Sequence, residues 1–185
     1  MGWFNFNKKD KSKDHSRQLF DYSCKIFADV STTADFLCQK WELDQSQWFA
    51  VLFEYLYLVL NMTDRFAFIN MSHEKRDKLM SELVELSISS AVDAICHKWS
   101  DAEVTKMKEE CLENYKVGLK NWGQYKVLYP EESKKMGDTV FWEFSKCVAT
   151  LVGHEEDIEY ITGAFIGATG LYKDLDAASF IEKMK

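Results

Sequence analysis

One carboxylate interrupts the apolar run WFAVLFEYLYLVL, residues 48–60: Glu54. A carboxylic acid held among apolar groups acquires a raised pKa, and such a group can exchange protons or grip a cation. At 100° per residue on an α-helix, Gln47, Glu54 and Asn61 fall almost in line, and Arg65 lies within about 20° of Glu54. Asp64 and Tyr57 flank that line. The polar residues therefore make a narrow seam on a helix that is otherwise apolar. Three arrangements fit this pattern. The seam could be a thin strip facing water. It could be a buried network that fixes helix register. It could line a pocket, with Glu54, Asn61, Asp64 and Arg65 among apolar walls. Burying an unpartnered charge is costly, so the strip facing water is the expected arrangement.

Asp93 and His97, four residues apart, share one helix face. A carboxylate in that position could orient an imidazole for metal binding or acid–base work. A di-iron bundle needs Glu-x-x-His pairs on two helices, and the chain has none. A plain i,i+4 hydrogen bond is the expected role. His154 precedes Glu155, Glu156 and Asp157 but lacks the second histidine of an H-E-x-x-H zinc site. An acid-rich helix start explains that cluster. GAFIGATG, residues 163–170, fails the G-x-G-x-x-G spacing, and no strand precedes it. On a helix, Gly163, Gly167 and Gly170 share a face, which predicts close packing of a neighbouring helix. No nucleophile motif, phosphate loop or matched Cys–His pair is present. No cofactor or metal is expected, and catalysis is disfavoured without being excluded.

These residues must be carried by helices. The chain has a single proline, Pro130, and eight glycines in 185 residues, too few for the many tight turns of an all-β fold. Leu19, Tyr22, Ile26, Val30, Ala34 and Leu37 recur at helical spacing and predict a helix from about Ser16 to Trp41. Asp44 with Gln47 matches a capping box opening a second helix that reaches Asn70. Ser72 is the expected N-cap of a third, with a stripe from Leu79 and Met80 through Leu83, Val84, Ile88, Ala91 and Ile95 to Trp99. Ser100 to Glu103 is another capping box, opening a fourth helix that ends near Trp122. Residues 123–138 read as a loop with a short helical turn after Pro130. Asp138 is the expected cap of a fifth helix, ended by Gly153, and HEEDIE the start of a sixth. A short helix over about 176–184 closes the chain. The predicted fold is an all-α, single-domain bundle of about six mostly antiparallel helices over residues 15–185.

Residues 1–14 read as a flexible tail, with Trp3, Phe4 and Phe6 followed by Lys8 and Lys9. Aromatics followed by lysines suit weak docking at a membrane surface or on a partner. The myristoylation pattern fails at Phe6. Lys8, Lys9, Lys11, Lys13 and Arg17 stand against Asp10 and Asp14, so a chain of net charge -7 carries -10 outside residues 1–17. That balance excludes a nucleic-acid footprint. Five cysteines without C-x-x-C spacing read as buried reduced thiols in a cytosolic protein. No signal peptide or membrane-spanning run is recognised.

The function expected from these features is that of a soluble cytoplasmic helical protein acting through protein–protein interaction, as an adaptor or regulatory subunit. Its partner would be another protein or a second copy of itself. One alternative is a small-molecule- or metal-binding bundle with a site around Glu54, joined by Asp93 and His97. Another is peripheral membrane association through the tail.

Overall fold

A computed structural model describes the backbone of residues 6–125 and 139–185 and the side chains of residues 13–125 and 139–185. Among these residues seven helices and no strand occur: α1 (Phe6–Trp41), α2 (Gln45–Asn70), α3 (His73–Ile95), α4 (Asp101–Trp122), α5 (Val140–Leu151), α6 (Ile158–Leu175) and α7 (Ala177–Met184). The protein is an all-α bundle.

α2 is its axis and packs against all six other helices. That explains why the helix is apolar nearly all round: a helix surrounded by others has no solvent face to keep polar. Val51, Leu52, Tyr55, Leu56, Leu58 and Leu60 are fully enclosed. Neighbour directions follow from paired residues. α1 runs antiparallel to α2, with Tyr22 beside Thr63 and Asp35 beside Trp48. α5 is antiparallel to α2 as well, with Gln47 at Val152 and Tyr55 at Phe144. α4 and α6 run parallel to it: Tyr57 meets Tyr115, and Arg65 meets Trp122; Tyr55 meets Ala164, and Phe66 meets Tyr172.

The capping boxes form as their sequences require. Asp44 Oδ1 accepts from Gln47 N at 2.9 Å while Gln47 Oε1 accepts from Asp44 N at 3.0 Å. Ser100 and Glu103 make the same reciprocal pair. Other boundaries differ from the expectation. α1 starts at Phe6, so residues 6–14 are helical backbone and the helix begins well before Ser16. Extending an existing helix adds one hydrogen bond per residue ordered, and lysines are good helix formers. α3 stops at Ile95; Trp99 falls beyond it and is exposed. Ser72 holds the N-cap position of α3 without a side-chain bond. α5 is capped by Thr139, whose hydroxyl accepts from Trp142 N, and not by Asp138, which lies outside the described residues. Gly153, at φ +84°, turns the chain out of α5. α6 begins only after its cap, Asp157, so His154 to Glu156 form a turn and not a helix start. The turn of helix expected after Pro130 also lies outside the described residues.

Two of the three glycines on α6 carry a close helix contact. A Cβ on Gly163 would sit 2.7 Å from the Trp41 ring, and one on Gly167 would sit 2.7 Å from the Tyr55 hydroxyl. α1 and α2 approach the α6 backbone there, and Tyr55 donates to the Ala164 carbonyl at 2.7 Å. Gly170 differs: nothing lies within 4 Å of its Cβ position.

Candidate functional site

The seam on α2 does not face water as a strip. Asn61 is only 3% exposed, and the line runs beneath α4 and α5. At its first end Gln47 Nε2 donates to the carbonyl of Val152, the C-cap of α5, at 3.2 Å. At its far end Arg65 Nη2 donates to the carbonyl of Trp122, the last residue of α4, at 2.8 Å. Arg65 Nε also donates to Asn61 Oδ1 at 3.1 Å. The last carbonyls of a helix have no partner within it. The seam's two ends therefore meet the ends of two neighbouring helices.

Glu54 sits between those ends and has no such partner. No hydrogen bond or cation reaches its carboxylate among the described residues, and burial alone pushes its pKa up to about 7. Tyr57 and Cys147 are close enough to feel its charge. The Cys147 thiol is pushed up to about 11, by burial first and by Glu54 second. Cys111, beside Tyr57, is also raised to about 11, chiefly by burial. Thiols held this high are inert at neutral pH. All five cysteines are free, and Cys24 is exposed, against the expectation that each is buried.

Asp64 lies just off the seam and makes a bidentate ion pair. Its two oxygens accept from Nε and Nη2 of Arg76, both at 2.7 Å. The two side chains are 14% and 23% exposed, so the pair is largely withdrawn from water. The bonds to Asp64 raise the Arg76 pKa, whereas burial lowers that of Arg65, which has no carboxylate within ion-pair distance among the described residues. Arg76 also stacks its guanidinium over the Phe68 ring, 5.3 Å from the centroid.

A groove passes over this pair. One section, of about 460 Å³, lies between α3 and α4 and is walled by Met80, Val84, Leu112 and Tyr115. The other, of about 670 Å³, reaches the ends of α2 and α4 and is walled by Phe66, Phe68, Ile69, Leu119 and Tyr172. Asp64, Arg76 and Leu119 line both sections, so the two adjoin at the ion pair. Phe68 and Ile69 stand at its edge, 67% and 78% exposed. The sequence singled out Asn61, Asp64 and Arg65 here. It missed Phe68, Ile69 and Arg76. The signal available for the first two was an apolar pair in the last turn of a helix already full of apolar residues.

Asp93 and His97 do not join the seam. α3 runs back along the bundle from Arg76, so Asp93, about 25 Å farther on by helical rise, lies away from Asp64 and Arg65. Asp93 pairs with Lys108 of α4 at 2.7 Å rather than with His97, because a mobile ammonium on the facing helix reaches it first. His97 is exposed, past the end of α3. Among the described residues no contact joins Asp93 or His97 to Glu54. His154 is committed elsewhere: its ring stacks on Tyr160 at 3.7 Å, and Tyr160 stacks in turn on Trp41. Among the described residues no group of three His, Cys, Asp or Glu could hold a metal ion, and no helix is long and apolar enough to cross a membrane. Trp3 and Phe4, and the side chains of Phe6, Lys8 and Lys9, lie outside the described residues.

No protein-family model, no curated protein and no solved structure matches the chain.

Proposed function

We propose that the protein acts by binding another polypeptide across the groove over the Asp64–Arg76 pair, in the manner of an adaptor or regulatory subunit. The observation that carries this reading is the groove itself, walled by apolar side chains on both sides of the ion pair and edged by exposed Phe68 and Ile69. Aromatic side chains and arginine are enriched at protein interfaces, and a groove between helices accepts the apolar face of a further helix. Helical peptides selected from a display library against the full chain test it. Selected peptides should perturb Phe68, Leu119 and Tyr172 in NMR spectra and bind at least tenfold more weakly to the Phe68→Ser, Ile69→Ser double variant. Failure to obtain any groove-dependent binder would dismiss the reading.

A second reading rests on Glu54. A half-buried carboxylate without a partner is suited to a small organic cation reaching it between α4 and α5. A thermal-shift screen of primary amines at pH 8 addresses it: stabilisation by an amine should disappear in Glu54→Gln. No amine-induced shift in the wild type would remove it.

A further inference from the structure

We infer that the polypeptide bound across the groove is a second copy of this chain, related by a twofold axis through the Asp64–Arg76 pair. The inference rests on the reading of the groove as a protein-docking surface and names its occupant.

The two sections of the groove are unlike, and they complement each other. The section at the end of α2 carries the projecting apolar pair, Phe68 and Ile69, and the cation Arg65. The section between α3 and α4 carries an apolar trough, walled by Met80, Val84, Leu112 and Tyr115, and the acids Asp77 and Glu85. Asp64 and Arg76 stand between them and belong to both. A twofold axis through that midpoint lays the projecting end of one copy on the trough of the other, twice. It also sets Arg65 of each copy toward Glu85 of the other. An isologous interface requires this property, since one patch must fit itself.

Charge points the same way. The chain carries -7, so copies meeting at random repel one another. The acids lining the groove, Asp64, Asp77 and Glu85, are matched by Arg65, Arg76 and Lys116. This face can meet itself without that repulsion. The cleft at the opposite end of α2, walled by Phe49, Ile95, Trp99 and Met107, has Asp44 as its one charged lining residue, so an equivalent contact there would place like charges together.

The test is sedimentation velocity of the full chain over micromolar to submillimolar concentrations, with Ile69→Asp and Glu85→Lys as variants. Both positions are exposed, and neither side chain holds the fold. The wild type should be in a monomer–dimer equilibrium, with dimerisation weakened at least tenfold by Ile69→Asp and less by Glu85→Lys. A photo-crosslinking residue at position 69 should attach to α3 or α4 of the other copy in a mixture of heavy and light chains. A wild type that stays monomeric throughout overturns the second-copy inference but leaves the groove reading to the peptide selection. A dimer indifferent to both variants also overturns it. So does a monomer that Ile69→Asp releases from anionic vesicles, which would assign the face to lipid.

Discussion

Glu54 and Asn61 lie on one line of α2, yet their surroundings are opposite. Asn61 belongs to a chain of bonds through Arg65 to the Trp122 carbonyl. Glu54 has burial and no bond among the described residues. The difference is where neighbouring helices end. Gln47 and Arg65 face the last residues of α5 and α4, whose carbonyls have no acceptor role inside their own helices. Glu54 faces the middle of both helices, where every backbone group is already bonded internally. Only side chains could answer it there, and those near it are Tyr57 and the thiol of Cys147. Gln47 and Arg65 are donors and meet free carbonyls at helix ends; the Glu54 carboxylate needs donors, and those ends supply none.

The comparison is most exposed at Asp64, on the satisfied side. Asp64→Ala orphans the Arg76 guanidinium in a largely dry position, with an expected loss of about 3 kcal/mol. Urea unfolding at pH 7 measures it; a loss below about 0.5 kcal/mol would make the pair equivalent to an ordinary surface bridge. On the other side the sign reverses. Folding raises the Glu54 pKa from 4.5 to about 7, so the folded state holds this proton more tightly than the unfolded one. Its effect on stability is absent below about pH 4.5, grows as pH rises to 7, and is fully unfavourable above that. Glu54→Gln should therefore stabilise the protein by about 2 kcal/mol at pH 8, after discounting for water near the group, and leave it unchanged at pH 4. Equal stabilities at both pH values would show that the carboxylate has a partner after all.

The same lesson applies to the glycines of α6, identical in spacing and different in neighbours. Gly163→Ala drives a methyl into the Trp41 ring, 2.7 Å away, with an expected cost of about 2 kcal/mol. Gly170→Ala meets open space and should gain about 0.7 kcal/mol from helix propensity. Thermal unfolding of the two variants should move in opposite directions. The smallest effect is expected at Asp93, whose pair with Lys108 is more than half exposed on the acid's side. Asp93→Ala should cost under about 0.5 kcal/mol by chemical denaturation, with even that removed by salt.

Much of the fold was legible before any coordinates. Helix period, the Asp44–Gln47 and Ser100–Glu103 boxes, and the near absence of proline are local facts, and local hydrogen bonds enforce them. The misread boundaries share a cause. At the start of α1 there is no apolar stripe to mark a helix that only needs to be extended, and at Thr139 an acid and a hydroxyl stand side by side, both good caps. Of the candidate site, the helical wheel placed Asn61, Asp64 and Arg65 together, because one helix carries all three. It could not find Arg76, which comes from the next helix, nor the Lys108 that pairs with Asp93, because spacing on one helix says nothing about what a neighbouring helix brings to it.

The sequence by itself determined that the chain is all-α, that α2 is its most enclosed helix, and that a polar line runs down that helix. Those are properties of period and composition, set by backbone geometry and the transfer of apolar side chains from water. Tertiary structure alone decided which members of the line are bonded, since that depends on where α4 and α5 end against α2. It alone decided that Phe68 and Ile69 stay exposed beside a groove, since an apolar residue in the last turn of a helix is buried only if another element extends far enough to cover it.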